Sequence, residues 1–524
     1  MTGTLSRTDA DFGTRSPDAS APRPGLIRTL VAAIAALLAI AAPASADDFE
    51  RWYIIEMLGQ RSGWAMTSQS TEGDRITTVS EMRVEIRRGA VAVAVSIEGR
   101  FVEAANGEPI SFEVTQRMGA APTSLKAVFA EDGIEVTTRG PTGSKTTKHP
   151  RPEGTWLPPA AAASFVRQRL AAGADQIEVR TLDTSSGLDP FKPAAALKPI
   201  LVTRTDLRPA TLRVMGREAA ATRCVTVSSA FPTLKSTEWL DDAGVPIRAE
   251  SLLGGIGIVM IAAEKSEATA RVAAPELMVS TFVKPDRPIA DPRGARSAVF
   301  VLSMTAGEIP AIPATSVQRV EPIDARSCRV TIDLDAPVES PQADADTPTY
   351  REDTGFLGGG DDRVRHVAAN AVLGQPADKS ARAEAMRRFV ERFIRRKGLD
   401  VGFAGAAEVA RSAAGDCTEH AALLAGMLRA DGIPSRVAAG LIYADEFAGA
   451  RGVFAYHMWT QALLEVDGRR RWVDLDATLP PGTPMDATHI ALVVTGMGEG
   501  ESTEVFLAIA SLMGRVGVKV EAAR

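Results

Sequence analysis

The chain has 524 residues, of which 45% are apolar and 24% charged, and its 59 basic and 65 acidic side chains leave a formal net charge of −6. This length suits two to four domains with full hydrophobic cores, and the composition is that of an ordinary globular protein. The charge balance excludes an overall basic field that would draw the chain to nucleic acid or to an anionic membrane surface.

Residues 1–46 read as a signal peptide rather than as part of the fold. Arg28 precedes the apolar run Leu30–Ala42, and "PASA" ends in an Ala-Ser-Ala step before Asp47. A basic flank, a short apolar core and small residues at the cleavage point make that pattern. The run is too short to span a bilayer comfortably, although an uncleaved anchor is the competing reading. The expectation is a soluble, exported protein, periplasmic or extracellular, that begins at Asp47 and keeps no stable membrane span. An oxidising compartment favours cysteine pairing. Cys224 ("RCVTV") and Cys328 ("CRVTIDL") sit in strand-like segments and are expected to pair, leaving Cys417 as the free thiol.

From 47 to 283 the pattern is β-rich. "VAVAVSI" (91–97) alternates with period two, and turn signals recur at Asn106-Gly107, Asp132-Gly133 and Asp241–Gly244. One helical segment, "AAAASFVRQRLAAG", follows Pro158-Pro159. The expected fold is an antiparallel sheet or half-barrel. "GGIG" (254–257) lacks the spacing of a phosphate loop and reads as a strand bend. Residues 284–340 read as a small β unit, with "SAVFVLSM" and "CRVTIDLDAP" flanking a Pro-rich middle. Residues 341–365, rich in Pro, Asp and Gly, read as a linker to a last domain at 366–524. The fold class is therefore α+β.

The last domain opens with a helix, on which Ala385, Met386, Phe389, Val390, Phe393 and Ile394 recur at three- and four-residue spacing and Gly398 is the stop. Its arginines (387, 388, 392, 395, 396) read as a solvated face. A second helix starts in "AGDCTEHA": Asp416 is an N-cap, and Glu419 three residues on completes a capping box. Cys417 then lies in the first turn, where free N–H groups and the helix dipole favour an anion and make a thiol a better nucleophile. From position alone, a small buried hydrophobe at a helix start is an equal reading.

"FAYHMWTQALLEV" (454–466) reads as a strand carrying His457, and "RRRWVDLDAT" (469–478) as its returning partner across Asp467-Gly468. A two-residue turn pairs Val466 with Arg469 and puts His457 opposite Thr478. Asp476 becomes the same-face diagonal neighbour of His457, and Asp474 lies one pleat repeat further away. A thiolate, an imidazole and an orienting carboxylate are the parts of a cysteine nucleophile site.

"GDCTEHAALLAGMLRADGIPSRVAAGL", then "HMW", then "WVDLDAT" resembles the transglutaminase-like superfamily, whose pattern runs G-D-C-x-E-H-A, G-I-P-A-R-x-V, H-x-W and W-v-x-v-D-P-T. The match covers roughly residues 370–495, and Ala477 stands where proline is usual. The resemblance implies a papain-like fold, a helix carrying the cysteine packed on an antiparallel sheet. It implies Cys417 as nucleophile, His457 as base and acid, and Asp476 as the orienting carboxylate. His420 is implied to be structural, although its place on the helix makes it a rival base. A metal set of Cys417, His420, His457 and His489 lacks a zinc spacing. Trp459 and Trp472 share the face of the histidine and aspartate, as cleft walls or as core, and Arg436 reads as a brace.

The resemblance implies a thioester formed on a protein or peptide amide, resolved by water or by an amine. Hydrolysis is the favoured outcome, because water far outnumbers free amines outside the cell. No cofactor is expected, and no calcium loop is evident. The rival reading is an envelope binding or scaffold protein with a retained but idle triad, its N-terminal β region holding a protein partner or a lipid.

Overall fold

The computed structural model describes residues 48–88, 91–117, 122–140, 143–182, 197–253, 256–271, 274, 276, 279–340, 347–398, 404–498 and 508–524. The leader at 1–46 and the first two glycines of "GGIG" lie outside them.

Alternating burial builds the N-terminal half. In the strand Phe49–Met57, Tyr53, Ile55 and Met57 are buried on one face, and Trp52 packs with Met66 on the other. Among the described residues fourteen strands join in one antiparallel sheet. Two meanders, Phe49–His149 and Ile177–Ala263, meet where Phe49–Met57 pairs with Ile256–Ala263. The helix Pro159–Ala171 crosses between them. Proline at its start lacks the N–H that would go unpaired there. Its next free donors, the Ala160 and Ala161 N–H groups, bond the Glu103 carboxylate at 2.9 and 3.0 Å. Burial raises the Glu103 pKa to about 7 against the pull of these two N–H groups.

Cys224 and Cys328 are both buried and free, which corrects the expected disulfide. Cys224 lies in Arg217–Ser228 of the large sheet, and Cys328 in Ser327–Asp333 of a separate four-stranded sheet, where it joins the core. Burial pushes the Cys224 thiol up to about 12 and raises that of Cys328.

The small sheet runs Gln318–Asp324, Ser327–Asp333, Ser297–Met304, and then Val516–Ala523 from the far end of the chain. Its core continues into the last domain, where Phe300 meets Phe454 edge-on with ring centroids 5.6 Å apart. Segments 284–340 and 366–524 thus share one hydrophobic core. The stretch expected as a linker is also tied down, because Phe356 and Leu357 are buried and the helix Asp362–Ala371 starts inside it, capped by Asp361. The following helix, Lys379–Phe393, ends before Gly398, with Ile394 as its C-cap. One of its arginines corrects the solvated-face reading: Arg387 is only 6% exposed.

Four helices, Asp362–Ala371, Lys379–Phe393, Ala406–Ser412 and Cys417–Ala430, pack into one core beside a sheet of four strands. The sheet order is Arg469–Leu475, Ala450–Val466, Ser435–Phe447, Ile490–Thr495.

The strand Val516–Ala523 buries Val516, Val518 and Val520. Each such side chain contributes about 1.5–3 kcal/mol. A chain ending at Arg515 is expected to melt several degrees lower and to become cleavable by protease within 297–333. An unchanged melting curve and cleavage pattern would contradict this role for the strand.

Candidate active site

The cysteine helix begins as its sequence requires. The Asp416 side chain accepts from the Thr418 N–H at 2.9 Å and from the Glu419 N–H, and Glu419 Oε2 accepts from the Asp416 N–H at 2.9 Å, so both arms of the capping box are made. Glu419 Oε1 also accepts from the Ala404 N–H at 2.7 Å. Gly415 is needed before it: φ is +153°, and a β-carbon there would lie 2.2 Å from that of Glu419. Cys417 is partly exposed at the first helical position.

The hairpin register is the one the two-residue turn dictates. Val466 pairs with Arg469 and Thr460 with Leu475. Asp467 and Gly468 both have positive φ, 54° and 72°, as a type I′ turn needs. Asp476 follows the strand directly, and its Oδ2 meets His457 Nε2 at 2.8 Å. The Cys417 side chain is near enough to the ring to help hold the His457 proton. Cys417, His457 and Asp476 are therefore brought together, with His457 bonded to Asp476. Asp474 does something else, accepting from Trp459 Nε1 at 2.6 Å and Gln461 Nε2 at 2.7 Å.

Asp476 is 2% exposed and heavily bonded. Its Oδ1 accepts from the Thr478 N–H and hydroxyl, each at 2.7 Å. Its Oδ2 also faces His489 Nε2 at 3.3 Å. Its main-chain oxygen accepts from Arg387 Nη1 at 3.2 Å. Burial pushes the Asp476 carboxyl up, but His457 and His489 outweigh it and hold the group well below the usual carboxylate range. Burial likewise pulls His457 down, and Asp476 and Cys417 reverse this, raising it to about 9.

The other residues singled out from sequence divide clearly. His420 turns Nδ1 to the Asp416 main-chain oxygen at 2.6 Å, and burial lowers its pKa, so it is a packed helix residue. The four residues weighed as metal ligands do not assemble. His457 and His489 come together with Asp476, their ligand-type atoms within 4.8 Å of one another, and both Nε2 atoms face one carboxylate oxygen. Trp459 lies beside His457, centroids 6.1 Å apart and nearly parallel, and forms a wall of the site. Trp472 does not: it packs with Leu463, and the Arg436 guanidinium sits 4.1 Å from its ring centre. Arg436 is a brace, donating to Gln461 at 2.8 Å.

Sequence reasoning missed the parts behind Asp476. His489 is brought there by the strand Ile490–Thr495, which pairs with Ser435–Phe447. Gly440, opposite both His457 and Ala491, allows that approach, since a β-carbon on it would lie 1.9 Å from the Ile490 carbonyl oxygen.

Residues 365–477 match the family model for the transglutaminase-like superfamily, so this part of the chain is a transglutaminase-like domain. No curated protein matches the chain. Three solved structures are similar at low identity. A beta-barrel-like protein of a domain of unknown function from Brucella abortus is 10% identical, covering 43% of this chain and 98% of that one, with a TM-score of 0.32. A "putative cysteine protease" from Cytophaga hutchinsonii is 12% identical over 42% and 83%, with a TM-score of 0.25. A "putative protease" from Parabacteroides distasonis is 13% identical over 68% and 64%, with a TM-score of 0.16.

Two outcomes are expected from this geometry. Asp476→Asn removes the charge facing His457 and should slow alkylation of Cys417 at neutral pH far more than Asp474→Asn, with both variants checked by thermal melting. Equal effects would mean that the contact with His457 does not matter. The second concerns stability. His457 and His489 hold their protons to about 9, above an ordinary value of 6.5. The stability they contribute is complete below the ordinary value and lost as pH rises through about 9. The melting temperature should therefore fall between about pH 6.5 and 9.5, and a flat profile across that interval would contradict the bonding described.

Proposed function

We propose that the transglutaminase-like domain of this chain is a working cysteine enzyme, exported from the cell, that cleaves amide bonds of proteins or peptides. The observation that carries this reading is the arrangement of His457, bonded to the buried Asp476 through Nε2 and raised in pKa by both Asp476 and the nearby Cys417. The imidazole takes the Cys417 proton, and the thiolate sulfur attacks the carbonyl carbon of the amide. The C–N bond breaks as His457 returns the proton to the leaving nitrogen, which departs as ammonia or an amine. A thioester remains on Cys417. Water then adds to it with His457 as base, the C–S bond breaks, and a carboxylic acid and the free thiol are released.

Asp476 keeps the imidazole in one tautomer and orientation and stabilises its charged form. Trp459 walls the ring on one side and limits access of solvent there. Hydrolysis is favoured over amine transfer because water outside the cell far exceeds any free amine. The N-terminal sheet is free to serve as a docking face for an envelope protein. Export rests on the leader at 1–46, and among the described residues no helix is long and apolar enough to cross a membrane.

Three measurements test the proposal. Iodoacetamide should label Cys417 in the native protein, and much more slowly in a folded His457→Ala variant, while the buried Cys224 and Cys328 stay unlabelled. Equal labelling rates in the two folded proteins would sink the nucleophile assignment and favour an idle triad. With a glutamine-containing protein and a labelled primary amine, ammonia release should exceed label incorporation, and both should vanish in Cys417→Ala. Incorporation equal to hydrolysis at millimolar amine would make the protein a transamidase, and peptide cleavage without ammonia would make it a peptidase. N-terminal sequencing of exported protein should begin at Asp47, and an intact leader would refute cleavage.

A further inference from the structure

We propose that His489 is a positioning residue of this site: an imidazolium clamped between Asp476 and Asp486 that keeps Asp476 ionised and aimed at His457. The proposal rests on Cys417, His457 and Asp476 being the reacting group. It comes from what surrounds the second ring. His489 Nε2 faces Asp476 Oδ2 at 3.3 Å. Its Nδ1 faces the Asp486 main-chain oxygen at 3.1 Å and Asp486 Oδ1 at 3.3 Å. Both ring nitrogens therefore point only at acceptors. A neutral imidazole has one N–H and one lone pair, and would set that lone pair against an oxygen; only the doubly protonated ring satisfies both sides. Burial opposes the charge, and the two carboxylates overcome it.

Asp486 is built to hold its place. Its Oδ1 accepts from the Thr488 N–H at 2.8 Å and the Thr488 hydroxyl at 2.5 Å, and Arg293 bonds its Oδ2. Arg293 also bonds the Tyr443 main-chain oxygen, in the strand that pairs with both His457 and Ala491. The remaining charged groups around His489 are His457, with ring centroids 5.8 Å apart, and Asp474, which His489 stabilises as an anion. Arg387 faces Asp476 from the helix side through its main-chain oxygen. Trp459 fills the corner between the two rings, edge-on to His489 with centroids 5.3 Å apart. The row Cys417, His457, Asp476, His489, Asp486, Arg293 alternates in sign once the thiol is ionised.

A cation behind Asp476 has a definite signature. It favours the Cys417 thiolate and disfavours the His457 imidazolium, so it lowers both midpoints of Cys417 alkylation: the lower, where the thiolate forms, and the upper, where the imidazolium loses its proton. His489→Gln keeps a donor but not the charge. Both midpoints should rise together, by about half a pH unit or more, at unchanged protein fold. Asp486→Asn is isosteric and removes the charge that holds the second proton on His489, so it should move both midpoints the same way by less. A purely structural role would instead raise the lower midpoint and depress the upper as Asp476 loses its aim. Unmoved midpoints, or a narrowed interval, in the folded variants would overturn the proposal. A wild-type protein with one ordinary thiol midpoint would overturn the cysteine-enzyme reading itself, a separate outcome.

Discussion

A carboxylate buried almost completely is expensive to keep charged, and Asp476 is such a group. Removing an ion of this size from water costs several kcal/mol after relaxation, and the cost is offset only when its oxygens are fully bonded to well-placed partners. Here Oδ1 takes two bonds from Thr478 and Oδ2 faces two imidazoles. Thr478 is local and fixes the turn. The two histidines bring charge, and they hold the carboxyl in its ionised form despite its burial.

The partners of that one carboxylate come from parts of the chain that look separate in sequence. His457 stands on Ala450–Val466, His489 precedes Ile490–Thr495, and Arg387 lies on Lys379–Phe393. Arg293, which supports Asp486, comes from the stretch before the small sheet, and that sheet is completed by Val516–Ala523. The shared core of 284–340 and 366–524 is the packing that makes these long-range bonds geometrically fixed. The site is thus a property of the whole C-terminal half, and the matched domain alone does not contain all of its supports.

What was legible in the sequence was local. Capping residues, a three- and four-residue apolar stripe and a two-residue turn each act over a few positions, and they set the cysteine helix and the hairpin with its register. Asp476 followed because the register makes it the same-face diagonal neighbour of His457, one pleat repeat nearer than Asp474. His489 was not legible as Asp476's partner, since no periodicity links it to a strand beginning at Ser435. Arg387 was hidden within a run of arginines whose exposure depends on where the chain after Asp476 goes. The last strand did leave a signal: Val516, Val518 and Val520 alternate with Gly517, Lys519 and Glu521. The helix Asp362–Ala371 left a weaker one, Asp361 before Val364, Val367 and Ala368, obscured by the glycines that precede it. The cysteine pair failed for a related reason: strand-like surroundings place each thiol in a sheet but do not say in which.

Asp474 and Asp476 show how far register goes and where electrostatics takes over. They sit two residues apart on one face of the hairpin, so alternation alone treats them alike. Asp474 is surrounded by neutral donors, the Trp459 indole and the Gln461 amide. Burial prevails there, and its pKa is raised in spite of those two bonds. Asp476 is surrounded by imidazoles, which can carry charge, and its pKa is lowered. Neutral donors fix a carboxylate in space, whereas ionisable donors also exchange protonation energy with it. Asp474 therefore serves to pin the Trp459 wall beside His457. Asp476 couples its own charge to that of the imidazole, and this second kind of coupling is the one the proposed cysteine chemistry calls for when a thiol proton moves.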